Sequence, residues 1–274
     1  MPKTSNRPDY LPDYKNPPLN EVIFGIQFSQ PKGYQQIFAG KVWELFREDY
    51  PQVQEQLPLQ PNFEVFGLPS QGTVISHLNF GAGSLLHNRF WFLTEKGDEL
   101  IQFQQNRLLH NWRKIDDQSN QYPRFESMIE RFKDEINKFQ NYVNSFEVQE
   151  LQINQCEISY INHIVDSGGI KNFSDWLNFI DDEKLILDDF NLRFSEILKD
   201  NNEKPIGRLI CEASLGITQE AKWMILFTLT VRGAPEVNNV NSALDFIKRG
   251  RDSIVLRFSQ LTTDMAHKKW EKIK

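Results

Sequence analysis

Apolar positions along this chain recur with two periods, and the switches between them mark the elements. In "EVIFGIQF", Val22, Phe24, Ile26 and Phe28 fall on alternate positions, which predicts a half-buried strand. Ile37, Phe38, Val42, Leu45 and Phe46 then follow at helical spacing and stop before Pro51. "YPQVQEQLPLQP" reads as an extended connector. A run of short strands comes next: "NFEVFG", "GTVISHLNF", "NRFWFLTE", "ELIQFQQ" and "RLLHNW", with turns at Gly81-Ala82-Gly83 and Lys96-Gly97-Asp98. Short links between sequential strands predict an antiparallel meander.

From Pro123 the period becomes helical. Phe125, Met128, Ile129, Phe132, Ile136, Phe139 and Val143 recur at steps of three and four, with the proline suited to the first turn. "VQELQINQCEISYINHI" is again strand-like, and its alternation shifts near Asn154 as a bulge would cause. A turn at Asp166-Ser167-Gly168-Gly169 precedes a short helix carrying Phe173, Trp176, Leu177 and Ile180. Three strands follow in "DDFNLRFSEIL", "IGRLICEASLG" and "KWMILFTLTVRG". Val240, Leu244, Ile247, Ile254, Phe258 and Leu261 line a long helix, with Gly250 in the stripe where a close approach offsets its cost of ~1 kcal/mol. Thr262 or Thr263 caps a last short helix through Met265 and Trp270.

Each half thus reads strand, helix, several antiparallel strands, long helix. The expected fold is α+β, with two similar, closely packed halves, each an antiparallel sheet with a short helix and a long covering helix. The boundaries are an extended Pro/Tyr-rich arm at 1–18, a first half at 19–145 and a second at 146–274. Within the arm, Pro2, Pro8, Pro12, Pro17 and Pro18 enforce extended geometry.

Composition narrows the function classes. The 274 residues carry a net charge of -6, which argues against a broad electrostatic grip on nucleic acid. Lys248, Arg249, Arg251 and Arg257 lie off the apolar stripe of their helix. They read as a solvated face, with a nucleic-acid contact as the alternative. Two cysteines, Cys156 and Cys211, make neither a disulfide framework nor a zinc site, so a reducing cytoplasm is the expected home. The longest apolar run, "WMILFTLTV", is too short to span a bilayer, and no membrane association is expected.

Candidate chemistry is sparse. "LLHNWRK" places His110 and Trp112 on one strand face and Asn111 on the other. The plain reading is a tryptophan packed against the helix after Pro123, with Asn111 serving nearby backbone groups. The sharper reading makes His110 a general base in a cleft near Arg113 and Asp116. His163 in "SYINHI" is a second candidate, while His77, His87 and His267 are scattered without metal-ligand spacing. Doubled acids at Asp116-Asp117, Asp181-Asp182 and Asp188-Asp189 read as solvated loop charges. Cys156 and Cys211 read as buried thiols beside Glu157 and Glu212, which are expected in solvent or paired with Arg208 or Arg232. No phosphate loop, dinucleotide fingerprint or nucleophile elbow occurs, so no cofactor or metal is expected.

The segments "NPPLNEVIFGIQF", "LIQFQQNRLLHNWRK", "YPRFESMIERF", "SYINHI" and "LTTDMAHKKWE", spread over nearly the whole chain, together resemble one prokaryotic family. It is a sporadically distributed family of similar length, with an N-terminal Pro-Pro-Leu strand and no assigned activity. Asn20 stands where that pattern has a hydrophobic residue. The resemblance implies genes that travel, such as phage-defence or toxin–antitoxin modules, and transfers no catalytic residue. Two functions are therefore expected. One is a non-catalytic protein-binding or accessory subunit, docking a partner through the arm at Tyr10 and Tyr14 or through Lys248, Arg249 and Arg251. The other is a ligand-binding protein or enzyme whose site lies between the halves at His110, Asn111, Arg113 and His163.

Overall fold

Nine strands form one antiparallel sheet in a computed structural model that describes residues 7–67, 87–115, 120–147, 149–185, 187–218 and 220–274. In chain order the elements are β1 (Leu19–Phe28), α1 (Ala39–Glu44), β2 (Gln52–Gln56), β3 (Arg89–Leu93), β4 (Glu99–Gln104), β5 (Arg107–Arg113) and α2 (Phe125–Val143). Then come β6 (Ile153–Ile164), β7 (Asn191–Lys199), β8 (Pro205–Ile217), β9 (Trp223–Gly233), α3 (Val240–Leu261) and α4 (Asp264–Lys269). The strand order is β2-β3-β4-β5-β1-β6-β9-β8-β7.

This order corrects the expectation of two halves with a sheet each. β1 pairs with β5 along one edge and with β6 along the other, so residues before and after 145 share a single sheet, five strands against four. The core is likewise one cluster, running from Leu11 to Trp270. The physical reason is the length of β1 and β6: each offers a full row of backbone donors and acceptors, and pairing the two rows leaves no central edge unsatisfied.

Alternation in β1 sets the layers. Val22, Phe24, Ile26 and Phe28 point to the helix side, where Phe24 meets Phe132 with ring centroids 5.2 Å apart and Phe28 meets Phe139 at 5.5 Å. α3 covers the same side of β6 and β9. At Gly250 an added Cβ would lie 2.7 Å from Ile158 Cγ2 and 3.0 Å from Val231 Cγ1, so the glycine lets the helix settle directly onto the sheet. The bulge read at Asn154 is present as a register shift, since Gln27 pairs with Gln155 but Phe28 with Ile153.

Several local expectations change. Gln52–Gln56, inside the supposed connector, is an edge strand paired with β3. "NFEVFG" belongs to no strand and ends in a bend at Phe66-Gly67. The region from Phe173 to Ile180 forms turns rather than a helix, with Leu177 N donating to Phe173 O and Ile180 N to Leu177 O. Thr263 caps α4 by accepting from Ala266 N. "GTVISHLNF" with His77, the Gly81-Ala82-Gly83 turn and Asp116-Asp117 lie outside the described residues.

The described part of the arm is integral to the body. It runs beside the C-terminus, where Ile273 N donates to Asp13 O at 2.8 Å and Lys15 N to Glu271 O at 3.1 Å. Leu11 and Tyr14 are buried, with Tyr14 edge-on to Phe258 and Trp270.

Candidate functional site

The four residues proposed for a shared cleft do not share one. His110 points to the helix side of β5, while Asn111 takes the other face, with Arg113 and His163 following the phase of that second face. His110 is fully buried. Its Nδ1 lies 3.0 Å from Glu135 Oε2, its ring stacks on Phe24, and Nε2 faces Glu99 at 3.7 Å. Tyr50 donates to Glu135 Oε1 at 2.6 Å, and Arg131 pairs with Glu99. Burial, with Glu135 alongside, pushes the Tyr50 phenol far above its ordinary range, so it stays a donor. This network fastens α2 to the sheet, with His110 at its fully buried end and Tyr50, Arg131 and Glu135 bordering a surface pocket. Trp112, also buried, packs on Tyr122 just ahead of that helix. Asn111 bonds side chains, Gln102 and Glu21, rather than the backbone groups expected of it.

The opposite face of the sheet is polar, and its registers place amide and charged side chains in rows across the strands. One row reads Gln104, Arg107, Gln27, Gln155 from β4 to β6. The next includes Gln102, Leu109, Gly25, Glu157, Arg232 and Arg208 from β4 to β8. A third brings Asn111 beside Ile23, Ser159 and Thr230.

Residues 57–67 cross these rows as a strap. Pro58 and Pro61 hold it extended, and their missing N–H groups are not needed, because the sheet takes hold elsewhere. Gln104 accepts from Leu59 N at 2.8 Å and donates to Leu59 O at 3.0 Å. Arg107 donates to Gln60 O at 2.8 Å, and Gln27 accepts from Asn62 N at 3.1 Å. Gln155 accepts from Glu64 N at 3.5 Å, and Arg208 donates to Val65 O at 2.9 Å. The attachments therefore step through β4, β5, β1, β6 and β8 in spatial order. Six residue steps of extended chain reach about 20 Å, against ~24 Å for five inter-strand gaps, so side chains close the difference.

One side chain of the strap is also gripped. The Glu64 carboxylate accepts from Arg208 Nε at 2.9 Å and faces Arg232 at 3.4 Å, with both carboxylate and Arg208 almost fully buried. By contrast Leu57, Phe63 and Val65 face solvent, at 83%, 52% and 60% exposure. In "NFEVFG" the Glu64 side chain turns to the protein while Phe63 and Val65 turn to solvent. Beneath the strap is a cavity of about 60 Å³ bordered by Gly25, Leu59, Asn62, Arg107, Glu157 and Arg232. Arg107 is buried there with its Nε unpartnered, and burial pulls its pKa down to about 10, so it keeps its charge.

Among the described residues of this face, the hydroxyls of Ser159 and Thr230 bond each other, and both cysteines lie on the helix side. Burial raises the Cys211 thiol to about 12 and the Cys156 thiol further, which keeps both protonated. His163 is held below the ordinary imidazole value by burial. Glu157 pairs with Arg232 as expected, but Glu212 pairs with Arg193, and Arg208 turns to Glu64. Among the described residues, no group of three or more His, Cys, Asp or Glu is placed to hold a metal, and no helix is long and apolar enough to cross a membrane.

The basic stretch on α3 is less open than its sequence implies. Arg251 is buried over the Phe125 ring, with Nη2 3.2 Å from Glu126 and Nε 3.0 Å from Asp252. Arg257 pairs with Glu196 and Lys248 with Asp245, while Arg249 is exposed. Tyr10 is exposed and donates to Asp252. No family model, curated protein or solved structure matches the chain.

Two signals for the strap were present but unread. Gln27, Gln104 and Gln155 occupy strand positions where a solvated face has no need of buried amides, and two prolines three apart mark a pre-extended segment.

Proposed function

We propose that this protein is a non-catalytic binding protein that recognises a protein partner on the polar face of its sheet. The observation that carries this is the row of side chains from β4 to β8 that holds an extended backbone through its own N–H and C=O groups. Such contacts recognise main chain rather than side chain, as peptide-binding sheets do through their edges. The burial of His110 and of both thiols favours binding over chemistry. Resemblance to a sporadically distributed family favours an accessory subunit of a mobile defence or toxin–antitoxin module, working in the cytoplasm.

The test is affinity capture from native cells with the wild-type chain and with Gln104→Ala/Arg107→Ala. A stoichiometric protein lost with the double variant is the expected result. A partner retained by that variant would move the surface elsewhere, and a bound small molecule in place of a protein would overturn the reading.

A further inference from the structure

We infer that the polar face is a groove for an extended acidic peptide, and that residues 57–67 occupy it in cis until a partner's segment of the same chemistry takes their place. This rests on the binding reading above and adds the occupant and its exchange.

Three observations carry it. First, the groove grips its present occupant almost wholly through backbone. It uses the N–H groups of residues 59, 62 and 64 and the C=O groups of 59, 60 and 65, so any extended chain presents the same partners. Second, the charged side chain it reads is a carboxylate. Arg208 and Arg232 converge on Glu64, and without it the buried guanidinium of Arg208 would lose its anionic partner. Arg107, buried with an unpartnered Nε beside the cavity below the strap, adds a further cation there. The groove is therefore cationic in an acidic protein, and it selects Asp or Glu.

Third, the strap is held with little apolar burial of its own. Leu57, Phe63 and Val65 point to solvent and Leu59 and Phe66 are only half-buried, so its release breaks mainly polar contacts that an incoming peptide remakes. A tethered segment has the advantage of a high effective concentration. A partner must overcome that advantage with contacts of its own, which makes the strap a threshold against weak competitors.

The probe is a synthetic peptide of residues 57–67, with a second peptide in which its glutamate is replaced by glutamine. Both are titrated against the full wild-type chain and against Glu64→Gln, whose own strap has lost its charged anchor. The acidic peptide is expected to bind Glu64→Gln at least ten-fold more tightly than wild type, and the glutamine peptide at least ten-fold more weakly than the acidic one. Hydrogen exchange of the chain's own 57–67 amides should rise as the acidic peptide saturates. Absence of binding at millimolar peptide, equal affinity for the two peptides, or binding with unchanged exchange of the strap would each overturn the inference. If Glu64→Gln fails to fold, the exchange measurement on the wild-type chain decides alone. A partner whose capture depends on Gln104 and Arg107, found alongside a failed peptide exchange, would overturn the exchange and leave the binding reading standing.

Discussion

The Nδ1 of His110 lies 3.0 Å from a carboxylate oxygen of Glu135, and both side chains are sealed between the sheet and α2. Tyr50 donates to the same carboxylate from the chain just ahead of β2. Glu135→Ala removes the acceptor shared by two buried donors and should cost about 3 kcal/mol in denaturant unfolding. Glu135→Gln keeps one oxygen acceptor and should lose less. Equal losses from the two variants would show that packing, rather than the carboxylate, is what matters.

Gly25 pairs with Leu109 across β1 and β5. A Cβ there would lie 2.3 Å from Leu109 Cδ2 and 2.6 Å from Leu108 O. Gly25→Ala should therefore destabilise by about 1–3 kcal/mol. Adding Leu109→Ala frees the side chain but leaves the carbonyl in place, so rescue should be partial. Full rescue in a thermal melt would place the whole conflict on Leu109.

Glu21 carries a stability signature that runs opposite to that of most carboxylates. Burial raises its pKa above 4.5, against the opposing effects of the Asn111 hydrogen bond and the Arg113 charge. The folded state thus holds the proton more strongly than the unfolded chain. Stability from this group is full below about pH 4.5 and is lost as pH rises through the folded value. Glu21→Gln should stabilise the protein at pH 7 and give no gain near pH 4, measured as the difference in unfolding free energy at the two values. A gain that persists at pH 4 would assign the effect to something other than ionisation.

Removing residues 1–15 should destabilise the body, because Leu11 and Tyr14 leave the core with them. Burying each contributes about 1.5–3 kcal/mol. Tyr14→Ala should reproduce much of the loss and Tyr10→Phe almost none, since Tyr10 is 63% exposed. An unchanged melting temperature after truncation would mean that the arm is a docking segment only.

Much of the architecture was legible because burial writes a period into the chain. The stripe from Phe125 to Val143 and the alternation of Val22, Phe24, Ile26 and Phe28 both name elements and the faces they bury. The union of the sheet was not legible, because β1 meets β6 through main-chain groups that every residue carries. The site was legible only in fragments. Asn111 and Arg113 were named, but with His110 as their neighbour, although adjacent strand residues face apart. Glu135, the true partner of His110, lies 25 positions on, on the flank of a stripe otherwise read for its apolar members. The strap was missed because Leu57, Phe63 and Val65 face outward, inverting the usual meaning of alternation.

The β1–β6 pairing sets a condition on synthesis. Phe24 pairs with Ile158, so one edge of β1 has no native partner until β6 has emerged from the ribosome. By then β2 to β5 and α2 are already outside. The nascent first half must wait with a long, unprotected edge, a species prone to pairing with the wrong neighbour. Completion of the chain closes that seam from within, so timing as well as affinity determines which strand arrives first.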